Sequence, residues 1–269
     1  VNAGMIEDLM KGVSGERACN LGGLIANDIA SGLNNVPAII ADPVVVDEME
    51  PLARISGHPK FPRRSIFHAL NQKAIARKYA KDHNQKYEDL NLIIVHLGGG
   101  VSVGVHKKGL VIDVNQALDG EGPFSPERTG SLPVNEVVNA CFSGQYTKEQ
   151  IKKMIVGNGG FVAYLGTNDA YTVEVKAKEG SEEHAFIQSA MAYQVAKEIG
   201  AAATVLNGKV DAIVLTGGIA YGKPFDEEVI ERVKFIAPVE IYAGEDEMGA
   251  LAMNATMFLN KEIECKEYK

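Results

Sequence analysis

The chain has 269 residues, 46% of them hydrophobic and 23% charged, which allows a large hydrophobic core and excludes a disordered or fibrous protein. Acidic residues outnumber Lys and Arg by 35 to 27, and the resulting net charge of −8 argues against a nucleic-acid surface, which needs clustered cations. Cys19, Cys141 and Cys265 are widely spaced, a usage that excludes a disulfide framework and is typical of a cytoplasmic protein. No apolar run approaches the ~20 residues that span a membrane, and we expect neither a membrane span nor a leader peptide.

Strand-like and helix-like segments alternate along the first half of the chain, which predicts an α/β fold. Apolar residues at a helical period predict a helix within residues 65–83. A buried strand at 92–96 leads into a glycine turn, and a Lys-Lys-Gly turn at 107–109 then joins two further strands into a hairpin. The predicted strands of this half are 36–46, which has Asp42-Pro43 near its end, 92–96, 101–106 and 110–114.

The second half continues the alternation and ends in a helix. Its longest predicted helix, 182–206, is rich in alanine and has Ser181 in position to cap the first turn. No repeat or low-complexity linker interrupts the pattern, so we expect a compact chain. The other predicted helices are 134–141, 148–155, 225–235 and 248–259, and the predicted strands are 212–215 and 239–242.

A run of three glycines, Gly98 to Gly100, follows the strand that ends at His96. Glycine lets a ligand approach the backbone closely and exposes amide N–H groups that bind phosphate. The next segment is a strand, whereas a P-loop and a dinucleotide-binding turn both lead into a helix. Two interpretations remain open from the residues: a phosphate-binding hairpin, or a tight turn that only requires positive φ.

A second pair of glycines, Gly217 and Gly218, lies between the predicted strand 212–215 and a helix. This turn either packs against a nucleotide base or ribose, or simply connects the strand to the helix. The simpler interpretation would be favoured if this were the chain's single motif, and the first glycine turn shifts the balance towards a nucleotide.

Three sets of polar side chains are further candidates for chemistry. Arg63, Arg64 and His68 come at the start of a predicted helix, although an isolated helical histidine is more often packed or solvated. Arg128 lies in the glycine- and proline-containing segment 119–130, which is either polar surface or the place from which a guanidinium stabilises an oxyanion.

The third set consists of carboxylates. Glu245, Asp246 and Glu247 precede the last predicted helix, where acids either compensate the helix dipole or hold Mg²⁺ directly or through water. Asp42 is either an exposed loop acid or part of a site.

Taken together, these motifs resemble those of the butyrate kinases and, more loosely, the acetate kinases. RRxxFH at 63–68, HLGGG at 96–100, GEG and RTG within 120–130, TGGIAYG at 216–222 and GEDEMGALA at 244–252 follow the order found in that family. The resemblance implies an α/β kinase of the actin type, with two ribonuclease-H-like domains that close on a nucleotide. It implies reversible, ATP-dependent phosphorylation of butyrate or a branched short-chain fatty acid to its acyl phosphate, with Mg²⁺. A cytoplasmic homo-oligomer that binds neither nucleic acid nor membrane is expected.

The resemblance also implies a role for each candidate residue. His68 and Arg128 would stabilise the transferring phosphoryl group, and Asp42 would lie near the acyl phosphate and the metal. Glu245 or Asp246 would be associated with Mg²⁺. The implied nucleotide-binding residues are His96, Gly98, Gly99 and Gly100 at the β- and γ-phosphates, Asp169 near the nucleotide, Gly217 and Gly218 at the adenosine, and Ile219 beside the base.

The expected domain organisation rests on the same resemblance. Residues 1–44 would be the remainder of domain I, 45–246 domain II with the nucleotide site, and 247–269 a helix that returns to domain I. We find neither the Asp/Asn-x-Gly-Ser-Thr type of phosphate loop with which the superfamily begins nor the arginine that follows it. One alternative is therefore a non-catalytic fragment that binds nucleotide or dimerises. Two others are an acetate kinase and a chaperone- or actin-like ATPase, which shares the superfamily but not these motifs.

Overall fold

The predicted α/β fold is confirmed by the structure, a computed structural model that describes residues 1–13, 20–34 and 36–268. Cys19 lies outside these residues. The strands are β1 Asn91–Leu97, β2 Val101–Lys107, β3 Leu110–Val114, β4 Ala212–Gly217 and β5 Val239–Ala243. The helices are α1 Ala3–Lys11, α2 Asn20–Gly32, α3 Ala69–Asp82, α4 Val134–Phe142, α5 Lys148–Ile155, α6 Phe161–Leu165, α7 Ala170–Lys178, α8 Glu182–Val205, α9 Lys223–Val233 and α10 Glu247–Leu259.

The five strands form one mixed sheet with the order β3-β2-β1-β4-β5. β1, β2 and β3 pair antiparallel as a meander, whereas β1, β4 and β5 run parallel to one another. This topology is that of a ribonuclease-H-like domain, as the resemblance implied. The three parallel strands therefore end at the same edge of the sheet.

Both faces of the sheet are covered, and the central strand β1 shows this most clearly. Ile93 and Val95 pack in the core cluster that contains α8, whereas Leu92 and Ile94 pack in the cluster that contains α3. All four side chains are fully buried, as expected for a strand with helices on both faces. The strand β1 is thus packed between a hydrophobic cluster on each face of the sheet.

Several predicted boundaries are confirmed closely. The β2–β3 hairpin turns at Lys108 and Gly109, whose φ values of 51° and 83° are those of the turns that two-residue hairpins favour. α8 begins after Ser181, and the Ser181 side chain accepts a hydrogen bond from the N–H of His184. The helix predicted within 65–83 begins only at Ala69.

The predicted strand over 36–46 is wrong, because the structure has no strand there. Its two prolines lack the N–H that a sheet ladder needs, and Asp42 adopts a positive φ of 38°. The segment instead contacts the loop before α3, where the N–H of Phe67 donates to the carbonyl of Val44 at 3.1 Å.

The first and last described residues lie next to each other. The Asn2 side chain donates to the carbonyl of Tyr268 at 2.8 Å, and the Tyr268 hydroxyl donates to Asp8 at 2.7 Å. Helices α1 and α2 were not predicted from the sequence. Among residues 1–13, 20–34 and 36–268, no helix has the length and apolar character needed to cross a membrane.

Candidate active site

The two glycine turns meet at the edge where the parallel strands end. Gly217, the last residue of β4, has a φ of 91°, and a Cβ there would collide with the carbonyl oxygen of Leu97 at the end of β1. Gly217 also exchanges two backbone hydrogen bonds with Gly244, which follows β5, at 2.9 and 3.1 Å. Ligands of open α/β sheets bind outside the carboxyl ends of parallel strands, so this edge is the expected place for a site.

The first glycine turn is shaped by close approach of side chains and not by backbone conformation. Gly98, Gly99 and Gly100 all have φ outside the positive range, so the interpretation that this turn needs glycine only for positive φ is wrong. A Cβ at Gly98 would lie 2.9 Å from Nε2 of His96, and one at Gly99 would lie 3.3 Å from Oε1 of Glu127. Gly99 is also solvent-exposed, which leaves its backbone accessible to a ligand.

Arg128 lies directly against this turn, because a Cβ at Gly100 would overlap its guanidinium. Nη1 of Arg128 donates to the carbonyl of Ala117 at 2.6 Å, which fixes the direction of the side chain. Nε is buried and has no hydrogen-bond partner among the residues that the structure describes. Burial lowers the pKa of Arg128, but an arginine remains charged in proteins. The positively charged guanidinium of Arg128 therefore lies beside the glycine turn, and its Nε–H donates to no described protein group.

The backbone of Arg128 is held in place by a second group of glycines. A Cβ at Gly160, which has a φ of 59°, would overlap the carbonyl of Ser125, and one at Gly159 would lie 2.6 Å from the backbone nitrogen of Thr129. Close packing of this kind fixes the loop that carries the guanidinium.

His68 and His96 form a stacked pair beside the glycine turn. Their ring centroids are 3.8 Å apart with an interplanar angle of 12°. Nδ1 of His68 lies 2.8 Å from the hydroxyl of Ser102, and Nδ1 of His96 lies 3.0 Å from Oδ1 of Asn71. Burial, with a further contribution from the positive charge of Arg128, lowers the pKa of His96 to about 4.

The pKa of His68 is also lowered well below its ordinary value, by burial first and then by His96 and Arg128. Both imidazoles are therefore neutral at pH 7, and they can accept or donate hydrogen bonds without adding charge.

The second glycine turn is open where the first is crowded. A Cβ at Gly218 would have no atom within 4 Å, and Gly218 is exposed. Ile219 and Ala220 follow in a short 3-10 helix that leads into α9. Such an open, apolar step after a strand suits a flat ring system.

Asp169 and Asp42 both have protein partners. Asp169 is the N-cap of α7, where it accepts hydrogen bonds from the N–H of Tyr171 and the hydroxyl of Thr172. Hydrogen bonding from Thr172 lowers the pKa of Asp169. Asp42 pairs at 3.2 Å with Arg77 of α3, the helix that follows His68.

The acids around the start of α10 differ in their surroundings. Asp246 is the N-cap of α10 and accepts a hydrogen bond from the N–H of Gly249 at 2.8 Å, which fits the helix-capping interpretation. Partial desolvation and the neighbouring Glu247 raise the pKa of Glu245. In the described ranges, no three His, Cys, Asp or Glu side chains form a group that could hold a metal ion.

Arg63 is part of the structure around the site. Its guanidinium pairs with Asp113 at 2.9 Å and Glu121 at 3.4 Å, and it ties the loop before α3 to β3 and to the loop that follows β3. Arg64 is exposed. Sequence reasoning missed Asn71 and Ser102, the polar partners of the two histidines, because their contacts depend on how α3 packs on the sheet.

Comparison with known proteins agrees with this geometry. The sequence model of the acetokinase family matches residues 59–243. Butyrate kinase 2 of Clostridium acetobutylicum is 59% identical over 269 residues, which is 100% of this chain and 75% of that protein. The acetate kinase of Porphyromonas gingivalis has a similar fold, with a TM-score of 0.81 at 18% identity over 96% of this chain and 73% of that chain. A propionate kinase from Francisella tularensis gives a TM-score of 0.78 at 20% identity, over 94% and 73%.

The mixed sheet with two glycine turns at its parallel edge thus has the fold class of these acetate and propionate kinases. Within that class, this chain belongs to the acetokinase family and is an ATP-dependent carboxylate kinase.

Proposed function

We propose that this enzyme transfers the γ-phosphoryl group of ATP to butyrate or a branched short-chain fatty acid, forming the acyl phosphate, and that it catalyses the reverse reaction. The observation that carries the proposal is the position of the Arg128 guanidinium, packed on Gly100 beside the stacked His68 and His96. The 59% identity to a butyrate kinase supports the choice of acid.

Phosphoryl transfer to a carboxylate asks the protein mainly for positioning and for charge on the equatorial oxygens. Arg128 supplies a planar cation and His68 a neutral hydrogen-bond donor. No general base is needed, because the carboxylate is already ionised at pH 7. The lack of a base–nucleophile pair in the sequence is therefore compatible with this chemistry.

The nucleotide is proposed to lie across both glycine turns. His96 and Gly98 to Gly100 would hold the β- and γ-phosphates, and Asp169 would lie near them. The open backbone at Gly218 supports a place for the adenosine there, with Gly217 beneath it and Ile219 beside the base.

Mg²⁺ would neutralise charge on the nucleotide's phosphates. It usually keeps several waters and binds through one or two carboxylates together with phosphate oxygens. Glu245 or Asp246, which follow the parallel edge of the sheet, fit that donor set, and we propose one of them as the acid associated with Mg²⁺. We propose that Asp42 lies near the acyl phosphate and the metal.

We also propose the domain organisation 1–44, 45–246 and 247–269 for this chain. The contacts of Asn2 and Asp8 with Tyr268 support grouping the first and last segments. A cytoplasmic homo-oligomer is proposed from the family alone.

A coupled assay of ADP release tests the choice of acid, with acetate, butyrate and isobutyrate compared at equal concentrations. We expect kcat/KM for butyrate or isobutyrate to exceed that for acetate by roughly tenfold or more, since each methylene in an apolar pocket contributes about 1–3 kcal/mol. A preference for acetate would refute the proposal and leave an acetate kinase.

A further inference from the structure

Behind His68 lies a buried series of hydrogen bonds that the reaction as described does not use. The hydroxyl of Tyr87 lies 2.6 Å from Nδ1 of His106, and Nε2 of His106 lies 3.0 Å from Oε1 of Gln72. Nε2 of Gln72 lies 2.7 Å from the hydroxyl of Ser102, which is 2.8 Å from Nδ1 of His68. We call these five side chains the relay.

The direction of the relay is fixed at Gln72. Its Nε2 also lies 3.1 Å from the backbone carbonyl oxygen of Ser102, so this atom is the amide nitrogen and Oε1 is the acceptor. Oε1 therefore accepts the proton of His106 Nε2. Burial lowers the pKa of His106 to about 3, so His106 is neutral, its Nδ1 is unprotonated, and Tyr87 donates to that atom.

The position of the proton on His68 is fixed in the same way, by its hydrogen-bond partner. The Ser102 hydroxyl oxygen accepts an N–H from Gln72, and its own proton needs an acceptor. Within the described part of the chain, Nδ1 of His68 is the one acceptor at hydrogen-bond distance from that hydroxyl. Ser102 therefore donates to Nδ1, and because His68 is neutral its single ring proton lies on Nε2.

We propose that the relay selects the tautomer of His68, so that Nε2–H is presented as a hydrogen-bond donor to the transferring phosphoryl group. Nε2 has no protein partner among the described residues, which leaves this donor free for a substrate oxygen. The use of that donor rests on the proposed function, whereas the choice of tautomer does not. Ser102, Gln72, His106 and Tyr87 are then positioning residues.

Gly104 in the middle of β2 makes room for the relay. A Cβ there would overlap the amide of Gln72 and would lie 3.2 Å from Nε2 of His106. Glycine within a strand costs stability and marks close approach of another group, which here is the Gln72 side chain. The relay therefore explains a residue that the strand alone would disfavour.

The tautomer can be measured on the whole chain without turnover. In the ¹⁵N-labelled protein at pH 7, long-range ¹H–¹⁵N spectra separate protonated from unprotonated ring nitrogens, and His68→Gln identifies the His68 signals. We expect a protonated Nε2 and an unprotonated Nδ1. A protonated Nδ1, or averaging of the two nitrogens, would overturn the proposal.

Variants then test the cause. Ser102→Ala removes the donor, and we expect averaged His68 nitrogens together with a roughly tenfold or greater loss of kcat at little changed KM, the scale of weakening one transition-state donor. Ser102→Thr, which keeps the hydroxyl, should restore both. An unchanged His68 spectrum in Ser102→Ala would overturn the relay.

Ser65→Ala is the matched control. Ser65 is also buried and donates to a backbone carbonyl, that of Val46, at 2.6 Å, but it lies outside the relay. This variant should leave the His68 spectrum and kcat unchanged, and an equal effect there would reduce Ser102 to a purely structural role. If the wild-type protein shows the expected tautomer but phosphorylates no acid, the proposed function fails and the tautomer selection stands.

Discussion

Arg128 is the residue on which the proposed chemistry depends most directly. Its guanidinium contacts the turn at Gly100 and is aimed by the carbonyl of Ala117. We expect Arg128→Ala to lower turnover by roughly 10³-fold or more, the scale of losing one cation on a transferring phosphoryl group. Arg128→Lys should restore only part of it, because an ammonium cannot bridge two oxygens as a planar fork does.

Steady-state kinetics of both variants, with ATP binding measured by calorimetry, check this expectation. Affinity for ATP should change little, since we propose that the two glycine turns hold the nucleotide. A loss of turnover below about tenfold, or loss of ATP binding together with turnover, would mean that Arg128 only supports the fold of its loop.

His106 gives a pH dependence of stability that can be isolated. Its pKa is lowered by burial, and further by Lys73 and Arg77, to about 3 in the folded protein. The unfolded chain therefore binds one more proton than the folded chain between about pH 6.5 and 3, and stability falls as the pH falls through that range.

His106→Gln removes this titration. The free energy of unfolding of each protein is measured by urea denaturation. We expect the value for wild type minus the value for the variant to be about 2 kcal/mol smaller at pH 5 than at pH 7. Taking the difference cancels the other titrating groups. A difference that stays constant over this range would show that His106 is not held neutral by burial.

At the scale of the elements, Gly217 at the end of β4 and Gly218 after it allow the fold and the ligand site to be tested separately. Gly217→Ala places a Cβ at a φ of 91° against the carbonyl of Leu97 and should cost roughly 1–3 kcal/mol of stability or more. Gly218→Ala meets nothing within 4 Å, so it should leave stability unchanged and weaken ATP binding if the adenosine lies there.

Thermal unfolding and calorimetry with ATP measure both effects on the two variants. Full ATP affinity in Gly218→Ala would place the adenosine elsewhere. Unchanged stability in Gly217→Ala would show that the two strand ends are less closely packed than described here.

Elements with strong local patterns were predictable from the sequence, and elements that depend on long-range packing were not. The β2–β3 hairpin and α8 carry turn and capping residues, Lys108-Gly109 and Ser181, that specify them locally. The apolar run 36–46 resembles a strand, but no partner strand pairs with it in the described structure. Hydrophobicity alone cannot supply that pairing.

The candidate site divides in the same way. The glycine turns and Arg128 are visible as motifs, and their meeting at one sheet edge follows once β1 and β4 are known to be parallel. The relay is not visible, because Gln72 meets Ser102 and His106 only where α3 packs on β2. Gly104, a glycine within a strand, is the one local signal that could have indicated it.

At the scale of the whole molecule, the central claim is that the phosphoryl group goes to a carboxylate and not to water. Proteins of this fold include ATPases, so the fold leaves the acceptor open. The family and the motifs at the edge of the sheet favour a kinase. The decisive experiment must therefore identify the molecule that accepts the phosphoryl group.

The direct test follows the label from [γ-³²P]ATP in the presence and absence of butyrate, with Mg²⁺, and separates acyl phosphate from inorganic phosphate. We predict that label appears in butyryl phosphate only when butyrate is present. Hydroxylamine should then convert this butyryl phosphate to the hydroxamate and release the label as inorganic phosphate. We also predict that Arg128→Ala slows this transfer by roughly 10³-fold or more. Label released as inorganic phosphate before trapping, at the same rate with and without butyrate, would contradict the account.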